Sequence, residues 1–253
     1  MNLRAVRAIY CYELAKAWQV PIQSLAAPVI TTSLYFLVFG SAFKAQLVAF
    51  QGVGYAAFIV PGFIMLSLLT ESIANASFSI FFQKYSGTIY EILTAPVTSL
   101  ELIASHVAAT ATKSMALALC ILLTARLFVR FDIAHPLLTL LYLVFSAATF
   151  SLLGFIVGVL AKGFERLQVI PMLVITPLTF LGGSFYSLNV LPEFWQRLSL
   201  LNPVLYLVNG LRWYFYGVAD VAPTGSWLVL ASTFVLAALA AAWIFSVGRG
   251  VRA

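Results

Sequence analysis

Five long apolar runs, at 22–43, 55–80, 102–125, 137–161 and 225–247, constrain this chain more than any other feature. A membrane-spanning helix needs about 20 consecutive apolar residues, and each run meets that length. Strands of a membrane barrel alternate apolar and polar residues over about 10 positions, and these runs do not alternate. Backbone N–H and C=O groups in lipid must find partners within the protein, so helices remain. The composition points the same way. Of 253 residues, 62% are hydrophobic and 9% charged, against about 25% charged in soluble domains. Lipid must solvate much of the outside, and the expectation is an all-α integral membrane chain.

A sixth run, 169–189, has adequate length but is interrupted by Pro171, Pro177 and the pair Gly182-Gly183. The segment 190–220 holds two short apolar pieces, each opened by a proline, Pro192 and then Asn202-Pro203. Asn as N-cap with Pro at the first helical position is a helix start. The piece at 203–218 is short for a span and carries Asn209 and Arg212, which suits a re-entrant helix better. Six spans with both termini cytoplasmic put Arg4, Arg7, Lys16, Lys84, Lys162, Arg166, Arg249 and Arg252 inside. Lys44, Arg126, Arg130, Arg197 and Arg212 then lie outside, with Lys113 within a span. Basic residues favour the cytoplasmic side, and a seventh span would send Arg249 and Arg252 out. Six is therefore the expected count, in a single membrane domain over 1–253. The residues 3–19, with Arg4, Arg7, Glu13 and Lys16 interrupting them, read as an interfacial helix rather than a cleavable signal.

The net charge of +6 comes from singly scattered basic residues, so it follows the topology and points to no nucleic acid. Cys11 and Cys120 imply no disulfide framework. His106 and His135 stand far apart and read as interfacial residues. The chain contains no H-E-x-x-H zinc site, no G-x-S-x-G elbow and no Walker A sequence. It is expected to be no enzyme, to bind no metal and to hold no cofactor itself.

Between the second and third runs, Thr88 and Glu91 have the spacing of a capping box, and Pro96 stops the helix they would begin. A second box, Thr98 and Glu101, opens the third run. The outcome is a short delimited helix at about 88–96, which on spacing alone is either a solvated connector or a docking element. Within the second run Ser67, Glu71, Asn75 and Ser79 recur every four residues and so share one gently winding stripe. Polar residues inside spans are costly and mark function, though Ser and Asn also join helices. Glu71 and Lys113 fall at similar depth on consecutive antiparallel spans, and an ion pair between them is expected. Gly154 and Gly158 form a small-residue motif for close helix packing. Aromatic residues crowd 185–216 (Phe185, Tyr186, Phe194, Trp195, Tyr206, Trp213, Tyr214, Phe215 and Tyr216), as an interfacial belt would.

The run Ser86-Gly87-Thr88-Ile89-Tyr90-Glu91-Ile92-Leu93-Thr94-Ala95-Pro96-Val97 resembles the signature of ABC-2 type exporter permeases. The resemblance continues in Phe58-Ile59-Val60-Pro61-Gly62, in the stretch from Thr176-Pro177 to Ser187, in Leu201-Asn202-Pro203 and in Gly248-Arg249-Gly250. It covers essentially the whole chain and is greatest to the YadH-like subgroup. Tyr90 departs from the pattern, since many relatives have a carboxylate or a small polar residue there. The resemblance implies that the short helix is a coupling helix, with Gly87, Thr88, Tyr90, Glu91, Leu93 and Pro96 meeting a cytoplasmic ABC ATPase. It implies two ATPase copies binding ATP and Mg, and a second permease, either a homodimer mate or a paralogue, in the bacterial inner membrane. It implies too that Ser67, Glu71, Asn75 and Ser79, with Pro177, Gly182, Gly183, Phe185 and Tyr186, lie on the path or gates of an exported drug, lipid, glycolipid or polysaccharide. The competing reading is a self-sufficient ion-coupled carrier or channel that uses Glu71 and Lys113.

Overall fold

The computed structural model describes residues 2–17, 26–42 and 52–247. The described chain is all-helical. Helix α1 (Leu3–Ala17) precedes α2 (Ala27–Ala42), which covers most of the first expected run. The rest of that run, Lys44, and the tail with Gly248, Arg249, Gly250 and Arg252 lie outside the described residues. Five described helical stretches are long and apolar enough to cross a membrane: Tyr55–Ser86, Ser99–Phe128, Pro136–Leu160, Phe164–Leu181 and Pro223–Phe245. The 16 described residues of α2 make a shorter apolar helix.

Helix α3 (Tyr55–Ser86) is the centre of the bundle, and from Ala57 to Met65 every residue is buried. Pro61, in the second turn, cannot donate to the Ala57 carbonyl, and the Tyr216 hydroxyl donates to that carbonyl instead at 2.7 Å. It runs six residues beyond its expected end and stops at Gly87, whose φ of +80° only glycine adopts freely. After α4 (Thr88–Thr94) comes α5 (Ser99–Phe128). Thr98 and Glu101 form the expected capping box there, with Glu101 N–H donating to the Thr98 hydroxyl and Thr98 N–H to the Glu101 carboxylate.

Helix α6 (Pro136–Leu160) lies against α3 at two glycines. A Cβ on Gly154 would stand 2.5 Å from the Ile73 carbonyl oxygen, and one on Gly158 would strike the Ser77 backbone and the Ile80 side chain. The expected small-residue motif thus packs α6 onto α3 within this chain. Gly154→Leu leaves no room without parting the two helices. Its expected cost is at least about 1–3 kcal/mol, read as a lower thermal midpoint in detergent, while Leu153→Ala serves as a half-buried control beside it.

The fifth stretch is a composite of α7 (Phe164–Ile170), a π-helical turn (Pro171–Ile175) and α8 (Thr176–Leu181). Pro171 has no N–H to donate to the preceding turn, and its own carbonyl accepts from the Thr176 backbone N–H and, at 3.0 Å, from the Thr176 hydroxyl. The stretch, running from Phe164 to Leu181, starts and ends earlier than 169–189. Gly182 and Gly183 are not inside it but form its stop, with Gly183 at φ +73°.

A 3₁₀ turn (Leu188–Val190), α9 (Glu193–Leu200) and α10 (Pro203–Tyr216) follow before α11 (Pro223–Val247). Asn202 caps α10 by accepting from Val204 N–H at 2.9 Å, as its sequence suggests. The aromatic belt is only partly present. Phe194 and Trp195 are exposed, but Tyr214 and Phe215 are buried. Helix α10 wedges among α3, α6 and α11, so its rings fill core space: Trp227 donates to the Tyr214 hydroxyl, and Tyr142 packs edge-on to Trp227.

Candidate functional site

The structure gathers the residues singled out in the sequence into three constellations, and the first is α4. Ile89 is 1% exposed and packs with Ile80, Ile103, Phe155 and residues of α11. Tyr90, at 45% exposure, and Glu91, Thr94 and Pro96 face outward. Leu93 lies on the helix, with its side chain outside the described set. The Thr88–Glu91 capping box is absent. Gly87 both ends α3 and serves as the N-cap of α4, so Thr88 already stands in the helix and its hydroxyl meets Ser86 at 2.9 Å instead. The short helix is held by its buried isoleucine and by the adjoining helix ends. Lys84 contributes there, donating to the carbonyls of Val159 (2.9 Å) and Ala161 (3.4 Å) at the end of α6.

The second constellation is the polar stripe of α3, which divides between two cavities. Ser67 and Glu71 line a cleft of about 470 Å³ with Thr31, Tyr35, Thr176 and Phe185, between α2, α3 and α8. Asn75 and Ser79 line a second cavity of about 290 Å³ with Glu13, Lys16, Thr110 and Lys113, between α1, α3 and α5. The expected ion pair is indirect. Lys113 donates to Asn75 Oδ1 at 2.7 Å, and Asn75 Nδ2 donates to Glu71 at 3.1 Å. One helical turn separates Glu71 from Asn75, and Lys113 reaches the nearer of the two. Asn75→Leu removes both bonds and is expected to cost about 1–3 kcal/mol, seen as a larger fall in thermal midpoint than Ser67→Ala causes.

Ser79 is committed elsewhere on the stripe. Its hydroxyl donates to Glu13, which also accepts from Gln83 Nε2, and it lies 3.3 Å from His106 Nδ1. Glu13 is 6% exposed and His106 is buried rather than interfacial. Glu13 carried no signal beyond its charge, because its partners stand 66 and 70 residues away. Helix α1 is thereby tied to α3, and Tyr10 donates to Thr112 of α5 at 3.2 Å.

At the end of the bundle opposite α4, the third constellation gathers motifs far apart in sequence. Ser184 presses its backbone onto Gly62, where a Cβ would collide with it. Phe185 meets Phe63 edge-on at 4.9 Å. Arg212, fully buried, stands over the Phe58 ring at 3.7 Å and donates to the Gly183 carbonyl at 2.7 Å. Its charge partner is Asp220 at 3.9 Å. Asp220 also accepts from Ser187 Oγ (2.7 Å) and Leu188 N–H (3.0 Å), and Asn209 Oδ1 accepts from both Arg212 and the Asp220 N–H. Pro177 is exposed, Tyr186 half-buried, and neither enters this knot.

The stretches that carry the resemblance, at 58–62, 86–97, 176–187 and 201–203, thus lie at the two ends of one bundle, and the sequence model of the ABC-2 type transporter family matches residues 4–216. The chain belongs to the ABC-2 type transporter family. It is 38% identical over 249 residues to the inner membrane transport permease YadH of Escherichia coli (strain K12), covering 98% of this chain and 97% of that one. It is 25% identical over 198 residues to nodulation protein J of Rhizobium meliloti (strain 1021), covering 78% of this chain and 76% of that protein. A nodulation protein J from Neorhizobium galegae is 27% identical over 203 residues, with 78% and 76% covered. With five helices among the described residues able to cross the membrane, this ABC-2 chain is a multi-pass inner-membrane transport permease. Its knot and its α4 sit at opposite ends of α3, so a displacement at one end has a stiff 32-residue helix through which to reach the other.

Proposed function

We propose that this permease is the transmembrane subunit of an ATP-driven exporter, with α4 as the helix that couples it to a separate cytoplasmic ATPase. The observation that carries the reading is the form of α4. A seven-residue helix, anchored by buried Ile89 between two membrane helices, presents Tyr90, Glu91 and Pro96 to solvent. An apolar anchor with an outward polar and aromatic face suits a lever that a partner grips, whereas a mere connector has no need of either. In this reading α2 completes six spans, both termini are cytoplasmic, and α9 and α10 form the re-entrant region. Two permeases and two ATPases assemble, and the ATPases hold ATP and Mg. The cleft between α2, α3 and α8, with Ser67, Glu71 and Phe185, lies on the substrate path, and the Gly182–Gly183 turn belongs to the outer gate. A drug, lipid, glycolipid or polysaccharide moves outward.

Placing a photo-crosslinking residue at Tyr90 or Glu91 tests α4 directly. Each is expected to capture an ATPase of nucleotide-binding size from native membranes, whereas a crosslinker at Leu228 on α11 captures none. Capture from neither position would remove α4 from the interface. The competing reading, an ion-coupled carrier, draws on the Glu71–Asn75–Lys113 chain of bonds. It predicts transport by the purified chain alone under an ion gradient.

A further inference from the structure

The cavity between α1, α3 and α5 is not part of the path just described, and its chemistry is specific. Two lysines line it, Lys16 from α1 and Lys113 from α5. An ammonium has three donors. Lys113 uses one of them, on Asn75, and Lys16 makes no hydrogen bond among the described residues, standing instead over the Phe82 ring at 4.6 Å. The one carboxylate on the wall, Glu13, is already occupied, since its two oxygens accept from Ser79 and Gln83. Glu71 lies beyond Asn75 and lines the other cleft. The unused donors thus belong to cations, and Phe78, Phe82 and Ala109 supply an apolar wall beside them.

A lysine at the depth of Lys113 is costly in a bilayer unless it faces a partner or a polar cavity. Lys113 lies 14 residues into α5 and faces such a cavity. Lys16 lies in the last turn of α1, and a lysine's four-carbon stem lets its ammonium extend from apolar surroundings toward a polar interface. We propose that this cavity binds the phosphate headgroup of an anionic membrane amphiphile, with Lys16 and Lys113 donating to the phosphate and the phenylalanine wall meeting the start of its apolar chain. Charge-assisted bonds to phosphate are the strong kind, and the apolar wall is what distinguishes a lipid from a free phosphate. The site stands apart from α4 and needs no ATPase to be occupied, so its test is independent of the exporter reading.

Native mass spectrometry of the full-length permease, purified in neutral detergent, gives the test. Phosphatidylglycerol is titrated against phosphatidylcholine, and inorganic phosphate is added in a separate arm. Wild type is expected to retain phosphatidylglycerol preferentially, and Lys16→Gln and Lys113→Gln each to lose about tenfold in that preference. Lys162→Gln, an exposed basic residue elsewhere on the chain, is expected to leave it unchanged. Lys16 makes no hydrogen bond among the described residues, so Lys16→Gln keeps the test open if the Lys113 variant fails to fold. Inorganic phosphate at millimolar concentration is expected not to displace the lipid. Equal retention of both lipids by wild type, or a preference that survives both substitutions, would overturn the site. Displacement by inorganic phosphate alone would overturn the assignment to an amphiphile and give the cavity to a soluble phosphate.

Discussion

Arg212→Met is expected to destabilise the permease by about 3–5 kcal/mol, the range for breaking a buried charge pair from one side. Arg212 is fully buried, and Met would fill much of its volume while removing the charge that faces Asp220. Asp220 would keep its bonds from Ser187, Leu188 and Asn189, yet it would hold an uncompensated charge within the knot. The Gly183 carbonyl would lose its donor at the turn that ends α8. The double variant Arg212→Met with Asp220→Asn should recover much of the loss, because removing both charges removes the desolvation cost as well. Thermal unfolding in detergent of the two single variants and the double gives the coupling directly. Additive losses would show that the pair is not what holds the knot.

The second large effect is functional. Tyr90→Ala combined with Glu91→Lys is expected to lower ATP-driven transport roughly 30-fold, the scale of losing one interface hot spot. The thermal midpoint of the permease should barely move, because both side chains face solvent and Ile89 remains in its pocket. Gly87→Val separates the two effects. A β-branched residue at φ +80° is strained, so this variant should lose both stability and transport. Stability lost equally in both variants would mean that Tyr90 and Glu91 support the fold rather than a partner.

The membrane helices were legible because hydrophobic length is a local property, and the second capping box and the Asn202-Pro203 start were legible for the same reason. The Thr88 box was misleading. Its spacing is correct, but nothing local shows that α3 continues to Ser86 and that Gly87 then serves as the stop of one helix and the cap of the next. The glycines after α8 were read as interrupting a span because the apolar run continues past Leu181, whereas Gly183 at φ +73° ends the helix there. The polar stripe of α3 was visible from its spacing, but its division between two cavities depends on where α1 and α2 pack. Glu13 and Asp220 were invisible as site residues. Each gains its meaning from partners on other elements, and a lone acid in the sequence names none of them. Arg212 was legible only as one charge in the inside–outside count, and its burial against Asp220 was not.

Affinity purification of the tagged permease from its native membranes, with the eluate assayed for Mg-ATP hydrolysis, tests the central claim most directly. The wild-type eluate should hydrolyse ATP, and the Tyr90→Ala, Glu91→Lys eluate should have lost most of that activity with the permease itself still folded. An eluate without ATPase activity, from a permease that nevertheless moves solutes in liposomes under an ion gradient alone, would contradict it.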